Sequence, residues 1–348
     1  MWKQRLGFAM TLSIGLAIAA CLVAAAYDLP LRDPDGVVAP TWVRLPGILG
    51  LAYLTDVAPR AFRRAGGFRG FWRQFKAVTI ERWHLAHVRF ALVGLGSWYL
   101  TYVAFRNLKN FVPFVHPDLM DDTLHRIDRT LMFGHDPAVV LHQVLGTGIS
   151  AHILSLVYIA WIVIVPVSLA GAMVWSRDVA ASSWYVTALV VDWVLGVAAY
   201  FVVPTWGPIY ARPEMFTGLP YTLVTKLQDV MWHDHQEVVL HGAGSTHALQ
   251  SIAAFPSLHV GIMVTIAVVV HLLNLPRWVR WTSWIFLALT VLATVYLGWH
   301  YLTDGVGGAV LGVAGVWFGA LATGNHVNGR LVRRGRGTEA PEQAAVSA

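Results

Sequence analysis

The sequence has almost no cysteine and little charge. Among its 348 residues there is one cysteine, Cys21, inside an apolar run. That excludes an intramolecular disulfide and a cysteine-based metal centre. Asp, Glu, Lys and Arg together make up 13% of the chain, about half the ~25% usual in soluble proteins. Hydrophobic residues reach 56% and tryptophan occurs 16 times. Several apolar runs attain the roughly 20 residues needed to cross a bilayer. In lipid every backbone polar group needs an internal partner, so such runs form helices. The composition therefore predicts an all-α polytopic membrane protein. The formal net charge of +6 is concentrated in arginine clusters. Clusters of this kind orient a chain in a membrane and give no reason to expect nucleic acid as a partner.

About eight transmembrane helices are expected, near residues 6–27, 41–58, 90–105, 149–175, 184–203, 258–275, 281–297 and 302–323. The first run is long for the core of a signal peptide and is followed by further spans, so it reads as a retained helix. The second is weaker, interrupted by Arg44 and Pro46, and either crosses or lies in the interface. Residues 121–137 read as an interfacial helix or loop, and 204–255 as a long loop rich in Gly, Pro, His and Trp. This divides the chain into an N-terminal membrane element (1–86), a six-helix core (87–323) and a disordered cytoplasmic tail (324–348). With both termini cytoplasmic, four basic segments share one side: residues 60–89, 176–181, 276–280, and Arg330, Arg333, Arg334 and Arg336. Arg106, Lys109, the 204–255 loop, His259 and His300 then share the extracytoplasmic face.

Two short motifs on that face carry chemistry. In Phe255-Pro256-Ser257-Leu258-His259, proline and serine open an apolar helix. The free N–H groups of a first helical turn attract an anion, Ser257 adds a hydroxyl, and His259 stands beside them. In His300-Tyr301-Leu302-Thr303-Asp304, the histidine and aspartate are four residues apart and meet if helical. A carboxylate on one imidazole nitrogen fixes the tautomer and frees the other as nucleophile or base. Glycines 305, 307, 308 and 312 follow and permit close helix approach. Taken singly, each motif is also compatible with a proline-capped span or a self-satisfied polar pair.

Together these motifs resemble the type 2 phosphatidic acid phosphatase superfamily, and within it the inositol phosphorylceramide synthase-like branch. The resemblance implies a six-helix phosphatidic acid phosphatase-like core. It implies that the histidine at position 300 attacks phosphorus and becomes a phosphohistidine, that Asp304 orients it, that His259 protonates the leaving alkoxide, and that Ser257 helps to hold the phosphate. No metal or cofactor is implied. The phosphatases carry a Lys-x6-Arg-Pro motif; here Arg212-Pro213 is present, but Thr205 stands where the lysine would be. They also carry Ser-Arg before the nucleophile; here those positions are Ala293 and Thr294. The synthase branch is similarly divergent. Arg106, Lys109 and Arg212 are therefore the candidate phosphate ligands.

Other residues are weaker candidates. Trp206, Tyr210 and Trp232 line a headgroup pocket or serve as ordinary interfacial aromatics. Asp192, inside a span, needs a hydrogen-bond partner. His233, His235, His241 and His247 invite a zinc hypothesis, but the spacing is not that of a helix-face metal pair. His125, Asp128 and His135 are candidates for a substrate loop. The reading is an integral-membrane phosphotransferase moving a phosphoryl or phospho-headgroup, such as inositol phosphate, from a lipid donor to a hydroxyl acceptor. Its place is a bacterial plasma membrane. The alternatives are a lipid phosphate phosphatase with water as acceptor, and a non-catalytic transporter or structural protein on the same fold.

Overall fold

The computed structural model describes residues 2–34, 41–241, 252–327 and 330–331. Helices dominate: α1 (Trp2–Ala26), α2 (Thr41–Ala65), α3 (Phe71–Arg82), α4 (Leu85–Val115), α5 (Asp121–Leu131), α6 (Pro137–Leu145) and α7 (Ile149–Ala170). After a π-helical turn come α8 (Val179–Val202), α9 (Pro208–Ala211), α10 (Leu223–His241), α11 (Leu258–Leu272), α12 (Arg277–Tyr296) and α13 (Leu302–Thr323). Among the described residues, six helical segments are long and apolar enough to cross a membrane: those within α1, α4, α7 with its π turn, α8, α12 and α13. The chain is an integral membrane protein.

Two further helices, α2 and α11, fall outside those six. Ser13 Oγ on α1 donates to Ser97 O on α4 (2.8 Å), and Arg32 N donates to Asn107 Oδ1 further along (2.8 Å), so α1 and α4 run parallel. Asp56 of α2 is fully buried and accepts from Arg82, Trp83 and Arg177. Pro46 and Pro59 do not interrupt α2. Helix α11 is apolar but only 15 residues long. Its start lies beside His300, and α12 brings the chain back there.

Several expectations shift. Helix α8 begins earlier than the apolar run, because the Asp178 side chain caps it by accepting from Ala181 N (3.0 Å). Helix α4 continues ten residues past Phe105, so Arg106 and Lys109 lie inside it and not at its far end. The loop at 204–255 contains α9, a 3-10 turn and the 19-residue α10. The tail is not wholly irregular: His326–Val327 pairs with Arg330–Leu331 in a short antiparallel ladder. Arg333, Arg334 and Arg336 lie outside the described residues, as does His247; the side chain of His241 is likewise not described.

Helix α13 packs against α8 and α11. Its glycines make this possible. A Cβ on Gly308 would overlap the carbonyl of Ser257, and one on Gly312 the carbonyl of Gly261. Asp192 is fully buried in this seam, with Thr265 Oγ1 donating to its Oδ2 (2.7 Å). Gly308→Ala should therefore force α11 and α13 apart and destabilise the protein by about 1–3 kcal/mol. Thermal unfolding in detergent checks this. Gly7→Ala, in open space on α1, should leave Tm unchanged.

Candidate active site

The two motifs meet where α11 and α13 begin. Ser257 is the N-cap of α11: its Oγ accepts from Val260 N (3.4 Å) and its own N–H donates to the Asp304 carbonyl (2.9 Å). That backbone link fixes one motif to the other. His259 follows in the first turn. Asp304 Oδ2 accepts from Tyr301 N (3.0 Å), capping α13, and lies 3.2 Å from His300 Nδ1. His300 Nε2 lies 3.3 Å from His259 Nδ1.

With Asp304 ionised, its carboxylate only accepts, and the proton between His300 and Asp304 then sits on Nδ1 of His300. Nε2 of His300 then holds a lone pair, and the proton of the second contact sits on Nδ1 of His259. Burial pushes the His300 imidazole down to about 3, and the nearby positive charge of Lys109 adds to that effect. His300 is thus a neutral imidazole at neutral pH; it lines the cavity, and its unprotonated Nε2 faces Nδ1 of His259.

That cavity has a volume of about 140 Å3 and is lined by His259 and His300, by Arg106 and Lys109 from α4, and by aromatic rings. Tyr158 lies over His259 (ring centroids 4.6 Å) and stacks on Trp299 (5.2 Å). Trp161, one turn further along α7, also packs on His259 (4.2 Å), and its Nε1 donates to the His259 carbonyl (3.1 Å). Trp206 also lines the cavity. Lys109 Nζ sits 5.6 Å from the centre of the Tyr200 ring. Sequence reasoning missed Tyr158 and Trp161, which are indistinguishable from ordinary apolar residues of a span.

It also missed what holds the loop that carries His300. On α5, Asp128 is buried and accepts from Leu302 N (2.6 Å), Thr303 N (2.9 Å) and Thr303 Oγ1 (2.5 Å). Asp121, two turns earlier, accepts from Trp206 N, Gly207 N and the Tyr301 hydroxyl (2.9, 2.9 and 3.0 Å). A pair of acids seven residues apart on one face of an amphipathic helix was the available signal. Asp128→Ala should cost about 1–2 kcal/mol through loss of this cap. Comparing chemical denaturation of the two proteins tests it.

Other candidates lie elsewhere. Arg212 pairs with Asp122 on α5 and does not line the cavity. Tyr210 stacks on Trp232 (5.2 Å) behind Trp299, and its hydroxyl donates to Gln228 O (3.2 Å). His235 is buried against Trp206 and Trp232, and His233 is exposed. Among the described residues no group of three or more His, Cys, Asp or Glu could hold a metal ion. His125 Nδ1 lies 3.4 Å from Asp136, and His135 is exposed.

The positions that depart from the phosphatase pattern have backbone roles. Thr205 Oγ1 accepts from Phe255 N (2.9 Å) and Thr205 O from Ala254 N (3.0 Å), which sets the approach to Pro256. Thr294 O accepts from Trp299 N and His300 N (3.0 and 3.2 Å), which shapes the turn into the nucleophile. The charge facing the cavity comes from α4 instead.

No curated protein and no solved structure is significantly similar to the chain. A family model described as PAP2 superfamily matches residues 122–318, more than half of the chain, running from α5 into α13 and leaving α1 to α4 outside the match. The chain belongs to the PAP2 superfamily.

Proposed function

We propose that this protein is a lipid phosphotransferase of the inositol phosphorylceramide synthase-like kind, working through a phosphohistidine. Membership of the superfamily supports a lipid phosphatase or phosphotransferase type of activity. The phosphohistidine part of this reading is supported by the relay Asp304, His300, His259 at a cavity with two cations, a first step that a transferase and a phosphatase share.

In the first step, Nε2 of His300 leaves its contact with His259 and bonds to phosphorus as the ester P–O bond breaks. The leaving alkoxide takes a proton from His259 in its imidazolium form, which the bound phosphate's charge favours, and His259 is left neutral. In the second, His259 removes a proton from the acceptor hydroxyl, whose oxygen bonds to phosphorus as the P–N bond breaks. General acid–base transfer of this kind contributes roughly 10²–10⁴-fold. Lys109, Arg106 and the first-turn amides of α11 offset the charge of the phosphoryl oxygens. None of these steps requires a metal ion. The arginine-rich end of the bundle supports placing both termini in the cytoplasm and the site at the extracytoplasmic face of a bacterial plasma membrane.

The test is direct. The purified protein is incubated with phosphatidylinositol, phosphatidic acid or polyprenyl phosphate, with and without hydroxyl-bearing lipids, and products are read by mass spectrometry. Transfer to a lipid acceptor supports the reading. Release of inorganic phosphate alone replaces it with a phosphatase, and no turnover of any ester leaves the non-catalytic alternative.

The cation assignment makes its own prediction. Lys109→Gln should lower kcat/KM by about 10–100-fold, the loss of one hydrogen bond to a charged group (about 1.5–3 kcal/mol). Arg212→Gln, which removes the partner of Asp122, should lower it much less. Steady-state kinetics on one donor lipid compares them.

A further inference from the structure

The hairpin of α2 and α3 is held at the end of the bundle away from the catalytic motifs. Asn325, just past α13, donates to the carbonyl of Ala180 at the start of α8 (3.2 Å). Arg177, just before α8, donates to Asp56 of α2 (3.1 Å), and Arg82 at the end of α3 donates to the same carboxylate (2.9 Å). Helix α13 begins beside His300 and has 22 residues, so its two ends lie about 33 Å apart. One face of α3 covers α2: Val78 is fully buried against Val57 and Ala61, with Phe71 and Phe75 packed around them.

The opposite face of α3 has no such cover. Trp72, Lys76 and Ile80 recur every four residues and share a stripe. Trp72 is 76% exposed and Ile80 66%, and Phe68, in the turn between α2 and α3, is 87% exposed. The charge on this surface is of one sign. Residues 60–82 contain seven basic side chains and one acid, and that acid, Glu81, is paired with Arg64 (2.7 Å). The side chains of Arg63, Arg69, Arg73 and Lys76 are exposed and have no hydrogen-bond or ion-pair partner among the described residues. Single exposed apolar residues are ordinary on any surface. Three of them interleaved with four unpaired cations, at the end of a membrane-spanning bundle, make an interfacial surface: rings lie at headgroup level and cations attract anionic lipid.

We propose that the α2–α3 hairpin binds anionic phospholipid headgroups of the leaflet at that end, with Phe68, Trp72 and Ile80 in the interface and Arg69, Arg73 and Lys76 on the phosphates. Charge complementarity selects the occupant. Four unpaired cations on one hairpin repel one another, and an anionic headgroup offsets them where a zwitterionic one brings no net charge. Both helices lie outside the segment matched to the superfamily. The length of α13 separates them from the cavity, so the surface supplies no group to the reaction.

Native mass spectrometry of the full chain, released from detergent micelles, tests this. Phosphatidylglycerol and phosphatidylcholine with the same acyl chains are added in turn. The protein should retain phosphatidylglycerol in preference, and the preference should shrink as ammonium acetate is raised. Each cation near an anionic surface contributes roughly fivefold, so Arg73→Gln with Lys76→Gln should lower the preference about 10–30-fold. Arg277→Gln with Arg280→Gln removes the same charge at the start of α12 and should leave most of the preference in place. Equal retention of the two lipids by the wild-type chain, an unchanged preference in the α3 variant, or an equal fall in the α12 variant overturns the surface. None of these readouts needs turnover, so failure of the lipid surface is distinct from failure of the phosphotransferase reading.

Discussion

His300→Ala should reduce turnover of every lipid ester by roughly 10⁴-fold or more, because residues acting as one chemical unit lose nearly all of its effect together. The expectation follows from which atom does what. Nε2 of His300 is the nitrogen left without a proton when Asp304 takes the hydrogen bond from Nδ1. Among the described residues the other imidazole lining the cavity is His259, and its Nδ1 is turned to His300. The covalent step gives a second measurement. Brief incubation with phosphorus-labelled donor, followed by denaturation, should leave acid-labile, base-stable label on wild-type protein and none on His300→Ala. Turnover that survives the substitution would remove the mechanism. The pH profile is a further check. His300 attacks as the neutral imidazole, and its burial holds it down to about 3. Protonation of this group should therefore impose no loss of the first-step rate between pH 8 and 5, the range in which an ordinary histidine, titrating near pH ~6.5, would gain its proton.

The architecture is legible in the sequence because bilayer thickness imposes one period on every span, and six of the eight expected segments are helices long and apolar enough to cross it. What the apolar runs hide is helix length where polar residues are satisfied internally. Arg106 and Lys109 look like the anchor of a helix end, yet α4 carries them inward past Asn110. Helix α2 shows the converse: its residues are only moderately apolar, and only packing shows that its Asp56 is fully buried among Arg60, Arg82 and Arg177.

The site divides along the same line. His259, His300 and Asp304 are readable because polar residues at a helix start within membrane depth are costly and so conspicuous. The groups that hold them are not. Tyr158 and Trp161 belong to an apolar span, and only packing shows that both rings contact His259. Asp121 and Asp128 sit in a polar segment where carboxylates are ordinary. Their work depends on amides of residues more than 80 positions away, and no local pattern encodes that distance.

Asp304→Asn should separate the two roles of that carboxylate. Its Oδ2 caps α13 through Tyr301 N and orients His300 through Nδ1, while Oδ1 is buried without a hydrogen-bond partner. Asparagine has the same shape and keeps an oxygen for the cap, so thermal unfolding should stay close to wild type. It cannot keep the charge, and without it the imidazole is free to adopt the tautomer with the proton on Nε2. In that tautomer the nitrogen facing phosphorus has no lone pair. A triad aspartate replaced by asparagine elsewhere costs about 10⁴-fold in kcat for this reason. A fall on the order of 10³–10⁴-fold is expected here, in kcat and not in KM, since Asp304 does not line the cavity. A variant with wild-type Tm and wild-type kcat would mean that the pair is a structural cap only. A variant that unfolds would be set against Asp128→Ala, which loosens the same helix start without touching the imidazole. Loss of activity in Asp304→Asn, with activity retained in Asp128→Ala at matched stability, would tie the effect to the tautomer of His300.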